Sequence, residues 1–157
     1  MKKTKKDFLF VGIQLVLVIL FVLPFQFDQS LPQLPRWPAQ LVLIIGLIEV
    51  VWAYMQLRNL ISVWPTPKDN SELVTWGIFA IIRHPIYSGI VLCTSGYAFY
   101  KADLYRLLVC LALLTLFYFK SAYEEKRLAE RFKVYPRYKA DVGRFFPKLP
   151  SFRTKPQ

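Results

Sequence analysis

The sequence is poor in the residues that build soluble metal and redox sites. Its 157 residues include one histidine and two cysteines, and Lys and Arg outnumber acidic residues by 21 to 10. Cys93 and Cys110 lie inside apolar runs, without the spacing of a metal site or a disulfide framework. We therefore interpret both cysteines as small hydrophobic residues, and we predict no metal site.

Apolar residues, by contrast, are abundant and make up 55% of the chain. A soluble domain of this size has too little interior to bury that much apolar surface. We therefore expect an integral membrane protein. The net charge of +11 does not indicate a nucleic-acid partner, because the basic residues flank the apolar runs instead of lining one soluble face.

Four apolar runs predict an all-α integral membrane helical bundle of about four spans, at residues 8–27, 39–61, 86–100 and 104–119. The first run lacks a small-x-small cleavage site, so we expect a retained span and not a signal peptide. The last two runs are shorter than the ~20 residues that an ideal crossing needs. A polar turn at 101–103 joins them, which favours a helical hairpin.

We interpret residues 1–157 as a single membrane domain. Residues 1–63 supply two N-terminal spans, and residues 64–157 supply a core with the hairpin and a cytosolic tail. The proline-rich segment 31–38 is predicted to be non-helical, because proline disrupts helix interiors. Residues 120–132 read as a polar, basic helix, followed by an irregular tail.

The distribution of Lys and Arg predicts the orientation. With four spans, 18 of these residues lie on the side of both termini and only three on the other. Cytosolic loops carry the excess of Lys and Arg in membrane proteins. Both termini and the segment before His84 are therefore predicted to be cytosolic.

The first candidate site motif is Arg83-His84-Pro85-Ile86-Tyr87, where an apolar run meets the predicted cytosolic surface. Proline frees a carbonyl group, while Arg, His and Tyr offer hydrogen-bond donors. A plain interfacial cluster, with Arg83 extended towards lipid head groups, explains the residues as well as a functional site does.

The second motif is Glu124-Glu125, two carboxylates in an otherwise basic region. On the residues alone, the favoured interpretation is a solvated pair of acids that contacts Lys120, Arg127 or Arg131 at helical spacing.

The two motifs together, with Leu128 and the later Phe132, Tyr135 and Tyr138, resemble those of the isoprenylcysteine carboxyl methyltransferases and the related phospholipid N-methyltransferases. The resemblance covers residues 58–147. It implies a pocket for S-adenosylmethionine near the cytosolic surface and a methyl acceptor that is a membrane lipid or a lipid-modified substrate.

Position by position, the resemblance also implies the site residues. The implied cofactor-binding residues are Glu72, Leu73, Val74, Phe79, Arg83, His84, Pro85, Ile86, Tyr87 and Glu124, and Lys120 takes the position of a substrate-contacting arginine. With Lys120, the candidate catalytic residues are His84 and Glu125, as proton acceptors. Three positions depart from the family pattern: Phe79 replaces a tyrosine, Lys120 replaces an arginine, and Lys133 replaces a glycine. Lysine is a point charge without the bidentate fork of arginine.

The resemblance favours O-methylation of an isoprenylcysteine-like carboxylate, with a phospholipid or other lipid amine as the alternative acceptor. A carboxylate acceptor needs no general base, whereas an amine must lose a proton, and His84 or Glu125 would accept it. A non-catalytic membrane transport or assembly protein and a nicotinamide-dependent reductase are the alternatives from other classes. The oligomeric state is left open.

Glu49 is an ionisable residue in the middle of the second apolar run. We favour a structural pairing with a neighbour in the bundle over a role in admitting a polar head group, because membrane carboxylates commonly have partners.

Overall fold

The computed structural model describes residues 4–25, 35–57 and 73–148, and within them the chain is helical without strands. This confirms the predicted all-α class. The structure contains α1 (Lys5–Val22), α2 (Arg36–Leu57), a 3-10 turn (Gly77–Ala80), α3 (Pro85–Tyr100), α4 (Leu104–Arg131) and α5 (Tyr135–Asp141). Glu72 and the predicted division between residues 63 and 64 lie outside the described residues.

Helix α1 begins earlier than the apolar run that predicted it. The backbone N–H of Thr4 donates to the Asp7 carboxylate at 2.7 Å, which caps the first turn. The helix ends at Val22 because Leu23 precedes Pro24, and a residue before proline disfavours helical geometry. The span predicted at 8–27 is therefore a helix of 18 residues at 5–22.

Residues 31–38 are predicted to be non-helical, and this prediction is wrong for the last three residues of the segment. Arg36, Trp37 and Pro38 form the first turn of α2. Proline is accepted there because the first four N–H groups of a helix have no partner within it. Residues 31–34 lie outside the described part of the chain.

Helices α2 and α3 lie antiparallel and very close together. A Cβ atom added to Gly46 would lie 2.7 Å from the carbonyl oxygen of Gly89, and one added to Gly96 would lie 2.8 Å from that of Ala39. Such close approach needs small residues at the contact, as in helix pairs within membranes.

Helices α1 and α4 are also antiparallel. The Thr4 and Tyr123 hydroxyls lie 2.8 Å apart, and the Tyr105 hydroxyl donates to the Leu20 carbonyl at 2.7 Å. At the same end as Thr4, the backbone N–H of Ile78 donates to the Gln56 side chain of α2 at 3.1 Å. The N-terminus of α1, the end of α2, the start of α3 and the end of α4 therefore share one end of the bundle.

Two helices, α2 and α4, are long and apolar enough to cross a membrane. Helix α4 has 28 residues, about 42 Å at 1.5 Å per residue, because the apolar run and the following polar stretch form one continuous helix. Helix α3 has 16 residues, and the turn at 101–103 joins it to α4 as the predicted hairpin. Four full crossings and a cytosolic orientation stay predictions.

Up to residue 148, where the described part ends, the tail is more regular than the predicted irregular segment. It contains α5, and the backbone N–H groups of Arg83 and His84 donate to the carbonyls of Gly143 and Arg144 at 2.8 and 3.0 Å. These two hydrogen bonds attach the tail to the loop before α3.

Candidate active site

The loop before α3 places the first motif at the end of the bundle where α1 begins and α4 ends, which we call the polar end. Gly77 has a φ of +61°, a conformation that favours glycine, and it begins the 3-10 turn. Pro85 then occupies the first turn of α3, directly after His84. The chain thus enters α3 with the Arg83 and His84 side chains directed at α4 and the tail.

Glu125 is buried among cations. Its side chain is about 1% exposed. Arg83 donates to it through Nε and Nη2 at 3.1 and 2.9 Å, and Lys139 Nζ and Arg144 Nε lie 2.9 and 3.2 Å away. The Nε2 atom of His84 lies 3.3 Å from the same carboxylate. The interpretation of a solvated Glu125 is therefore wrong, and its partners come from the loop and the tail.

Arg83 fastens the tail as well as contacting Glu125. Its Nη1 atom donates to the carbonyl oxygens of Lys139, at 3.0 Å, and of Val142. Four of its five N–H donors are thus used by the protein itself, and its side chain is only 7% exposed.

Glu124 has a different environment. Its side chain is 25% exposed. It accepts a hydrogen bond from the Tyr87 hydroxyl at 3.1 Å, and the Nδ1 atom of His84 lies 3.8 Å away. His84 thus lies between the two glutamates, with one ring nitrogen towards each.

An aromatic stack forms the wall beside Glu124. The Tyr87 ring stacks on Phe117 at 4.7 Å and on His84 at 5.5 Å between centroids. The ammonium group of Lys120 lies 5.2 Å from the centroid of the Tyr87 ring and donates to the Gln14 side chain at 2.6 Å. Lys120 is 1% exposed, so this cation is held within the bundle.

The other implied cofactor residues lie on the α2 side of the loop. Phe79 is buried with Ala53 of α2, and Val74 and Ile86 pack against that cluster. The Phe79 carbonyl accepts a hydrogen bond from the Tyr138 hydroxyl at 2.6 Å. Pro85 is buried and Leu73 is half-buried.

Two tyrosines of the tail, the buried Tyr135 and the half-buried Tyr138, differ in their hydrogen bonding. Tyr138 is bonded to Phe79, whereas the Tyr135 hydroxyl is buried without a hydrogen-bond partner. Burial raises the pKa of Tyr138 to about 12, with Arg83 opposing and Glu125 adding to the shift. Burial also raises the pKa of Tyr135 well above its usual range.

Glu49 of α2 lies beside the first turn of α3. It is 5% exposed and faces α3, where the Ser88 hydroxyl donates to its carboxylate. The same Ser88 oxygen lies 3.3 Å from the carbonyl oxygen of His84. Glu49 does have a neighbour in the bundle, and that neighbour is a neutral hydroxyl.

The sequence reasoning missed three residues at this site: Lys139, Arg144 and Gln14. The two basic residues lie 14 and 19 positions after Glu125, at no helical spacing from it, so no local pattern could identify them. Gln14 was detectable, because it is a polar residue inside an apolar run.

Comparison with known sequences identifies a family. A sequence model described as phospholipid methyltransferase matches residues 35–134, which extend from the start of α2 past the end of α4. The matched segment contains His84, Lys120, Glu124 and Glu125. A search of curated protein sequences returns no significant match.

Proposed function

The chain belongs to the phospholipid methyltransferase family, and on this premise we propose that it transfers a methyl group from S-adenosylmethionine to a lipid-borne acceptor. The family and the two apolar helices make the chain a membrane methyltransferase. The observation that carries the proposal is the pairing of a partly exposed carboxylate, Glu124, with an aromatic stack at the polar end of the bundle.

The side chains present fit this cofactor. S-adenosylmethionine carries an ammonium, a carboxylate, a sulfonium and an adenine, and it supplies a methyl group bound to the sulfonium. Glu124 suits the ammonium, because its partners are the Tyr87 hydroxyl and His84 and a quarter of its side chain is exposed. The aromatic stack beside Glu124 suits the sulfonium, because aromatic rings attract cations.

We assign Arg83 and Glu125 a positioning role in this proposal. Four of the five N–H donors of the Arg83 guanidinium are used by Glu125 and two tail carbonyls, so this side chain interacts mainly with the protein itself. The Glu125 carboxylate already contacts four cationic or ionisable side chains, so it is a poor proton acceptor. Together they fix the loop that carries His84 and Tyr87, and methyl transfer depends on such alignment because it is an in-line displacement.

For the acceptor we propose a lipid amine. The matched family model describes phospholipid methyltransferases. In addition, Lys120 replaces the arginine that contacts substrate in prenylcysteine enzymes, and the ammonium of Lys120 is held by Gln14 and the Tyr87 ring. The isoprenylcysteine-like carboxylate, which the motifs favoured, becomes the competing acceptor in the experiment below.

The experiment incubates purified protein in detergent with methyl-labelled S-adenosylmethionine and either phosphatidylethanolamine or N-acetyl-S-farnesylcysteine. We expect label in the phosphatidylethanolamine and little with the Glu124→Gln variant. Label only in the farnesylcysteine would show that the acceptor is a carboxylate and not a lipid amine. No label in either compound or in a total lipid extract, with folded protein, would contradict the proposed activity.

We also propose that all four long helices cross the membrane and that the site faces the cytosol, because 18 of the 21 basic residues belong to that side. Single cysteines introduced into a variant without Cys93 and Cys110 test this orientation. A membrane-impermeant thiol reagent added to intact cells should label Lys101→Cys, and Lys139→Cys only after permeabilisation. The reverse labelling would contradict the orientation.

A further inference from the structure

Glu49 is a carboxylate buried in the middle of an apolar helix with only a neutral partner. Its described contact is the Ser88 hydroxyl, and no cation of the described residues pairs with it. A carboxylate at this depth is costly unless it is paired, and ionisable residues within membrane helices commonly serve substrate binding or proton transfer.

The position of Glu49 links it to the candidate site. Ser88 follows Tyr87 in the sequence, and its hydroxyl lies near both Glu49 and the carbonyl oxygen of His84. Small residues, Gly46 and Ala53, lie one turn before and after Glu49 on the same buried face of α2. Glu49 therefore lies directly beside the His84–Tyr87 turn, further from the polar end of the bundle.

The other acidic groups near the site are already engaged. Glu125 is surrounded by Arg83, Lys139 and Arg144, and Glu124 is assigned to the cofactor. An amine acceptor reaches the site as an ammonium and must lose a proton before it can attack a methyl group. Among the described residues, Glu49 is the remaining carboxylate beside the first turn of α3, which it contacts through Ser88.

We infer that Glu49 binds the ammonium of a lipid-amine acceptor and accepts its proton, an inference that rests on the proposed function. The proton moves from nitrogen to a carboxylate oxygen of Glu49. The nitrogen lone pair then forms the new bond to the methyl carbon, and the electron pair of the broken bond remains on sulfur. Glu49 returns its proton to water when the methylated lipid leaves.

The test compares wild-type protein with Glu49→Gln, which keeps a hydrogen-bond acceptor for Ser88 but cannot take the proton. With phosphatidylethanolamine we expect kcat at pH 7 to fall about 100-fold or more, the usual effect of losing a general base. Binding of S-adenosylhomocysteine should change less than about twofold, because Glu124 and the aromatic stack are untouched.

The pH profile separates a proton acceptor from a structural partner. An alkyl amine has a pKa of about 10.4 in water, so its reactive fraction rises about tenfold per pH unit below that value. The Glu49→Gln rate should rise with this slope from about pH 7 to 9, and the wild-type rate should rise less steeply. The groups that face Glu49 from α3 are Ser88 and Cys93, so Cys93→Ala, at the same interface, is the matched control with wild-type behaviour.

A Glu49→Gln variant with wild-type kcat and pH profile would overturn the inference and leave Glu49 as a structural partner of Ser88. If Glu49→Gln does not bind S-adenosylhomocysteine, Glu49→Asp replaces it. That variant retains a carboxylate and should keep the shallow wild-type slope at a reduced rate, and a steep slope would overturn the inference. A wild-type enzyme that methylates only the carboxyl acceptor would overturn it while the methyltransferase function stands.

Discussion

Glu124 and Glu125 are neighbours in the sequence with opposite surroundings. Glu125 is almost fully buried and contacts Arg83, Lys139 and Arg144, whereas Glu124 is a quarter exposed and contacts the Tyr87 hydroxyl. Successive residues of an α-helix point about 100° apart. One carboxylate therefore faces the tail, and the other faces the aromatic stack.

The difference indicates how one pair of acids serves two purposes. A buried carboxylate with several cationic partners holds its surroundings together, but it has no capacity left for a ligand. A partly exposed carboxylate whose hydrogen-bond donor is a neutral hydroxyl still has oxygen lone pairs available for a cationic group from outside. Stability should therefore depend on Glu125, and cofactor affinity should depend on Glu124.

The largest expected effect on stability is that of Glu125→Ala. Removing this carboxylate leaves the buried Arg83 guanidinium without its anion, and breaking a buried ion pair costs about 3–5 kcal/mol. The measurement is the free energy of unfolding in detergent. The matched control is Glu130→Ala, because Glu130 is exposed on the same helix, and it should change stability by less than about 0.5 kcal/mol. Equal stability of both variants would contradict the structural role of Glu125.

Glu124→Gln should act on binding and not on folding. A hydrogen bond to a charged group contributes about 1.5–3 kcal/mol, which corresponds to roughly a 10- to 150-fold loss of affinity for S-adenosylhomocysteine. Unfolding without ligand should stay near wild type, because the glutamine side chain can still accept the Tyr87 hydrogen bond. Isothermal titration gives the affinity, and Glu130→Ala again serves as the control. An unchanged affinity would remove Glu124 from the cofactor site.

The two tail tyrosines test whether the tail is held by specific bonds. Tyr138→Phe removes the hydrogen bond to the Phe79 carbonyl and should cost about 1 kcal/mol of unfolding free energy. Tyr135→Phe removes a buried hydroxyl that has no hydrogen-bond partner, so it should be neutral or slightly stabilising. The opposite order of the two variants in thermal unfolding would contradict the described tail.

The same tyrosines predict a loss of stability at alkaline pH. Tyrosine has a pKa of about 10 in unfolded chains, and burial raises the pKa of Tyr138 to about 12 in the folded protein. The folded state holds the proton more tightly, so this contribution is fully present below about pH 10 and is lost as pH rises from 10 to 12. Tyr135 shifts in the same direction. Unfolding of a Tyr135→Phe, Tyr138→Phe double variant should depend less on pH in this window, and an unchanged dependence would contradict the burial of these hydroxyls.

Among substitutions of the residues around Glu125, the smallest effect is expected for Lys139→Ala. The Lys139 side chain is 49% exposed although it contacts Glu125 at 2.9 Å, and exposed ion pairs contribute about 0–1 kcal/mol. Lys139→Ala should resemble wild type in thermal unfolding. The loss of stability in Arg83→Ala should be several-fold larger than that in Lys139→Ala. An equal loss of stability in Lys139→Ala and Arg83→Ala would contradict the difference that we expect between an exposed and a buried partner of Glu125.

Much of the helical frame could be predicted from the sequence, because apolar runs and prolines act locally. The runs at 39–61, 86–100 and 104–119 correspond to α2, α3 and α4, and the turn at 101–103 joins the last two as expected. Errors occurred at helix ends. Pro38 was interpreted as a helix breaker although it lies in the first turn, where proline is tolerated.

The arrangement of the site was less accessible to sequence reasoning. The resemblance brought Arg83, His84, Tyr87 and Glu124 together, and the structure places them within contact of one another or of Glu125. Which of two adjacent glutamates is buried depends on how the tail packs against the loop. That packing involves Lys139 and Arg144, far along the chain, so local spacing contains no information about it.

The most direct test of the methyltransferase assignment is a calorimetric titration of the purified wild-type protein, in detergent, with S-adenosylhomocysteine and separately with NADPH. We expect saturable binding of S-adenosylhomocysteine at about one site per chain and no binding of NADPH. Folded protein that binds NADPH instead, or that binds neither compound, would contradict the methyltransferase assignment.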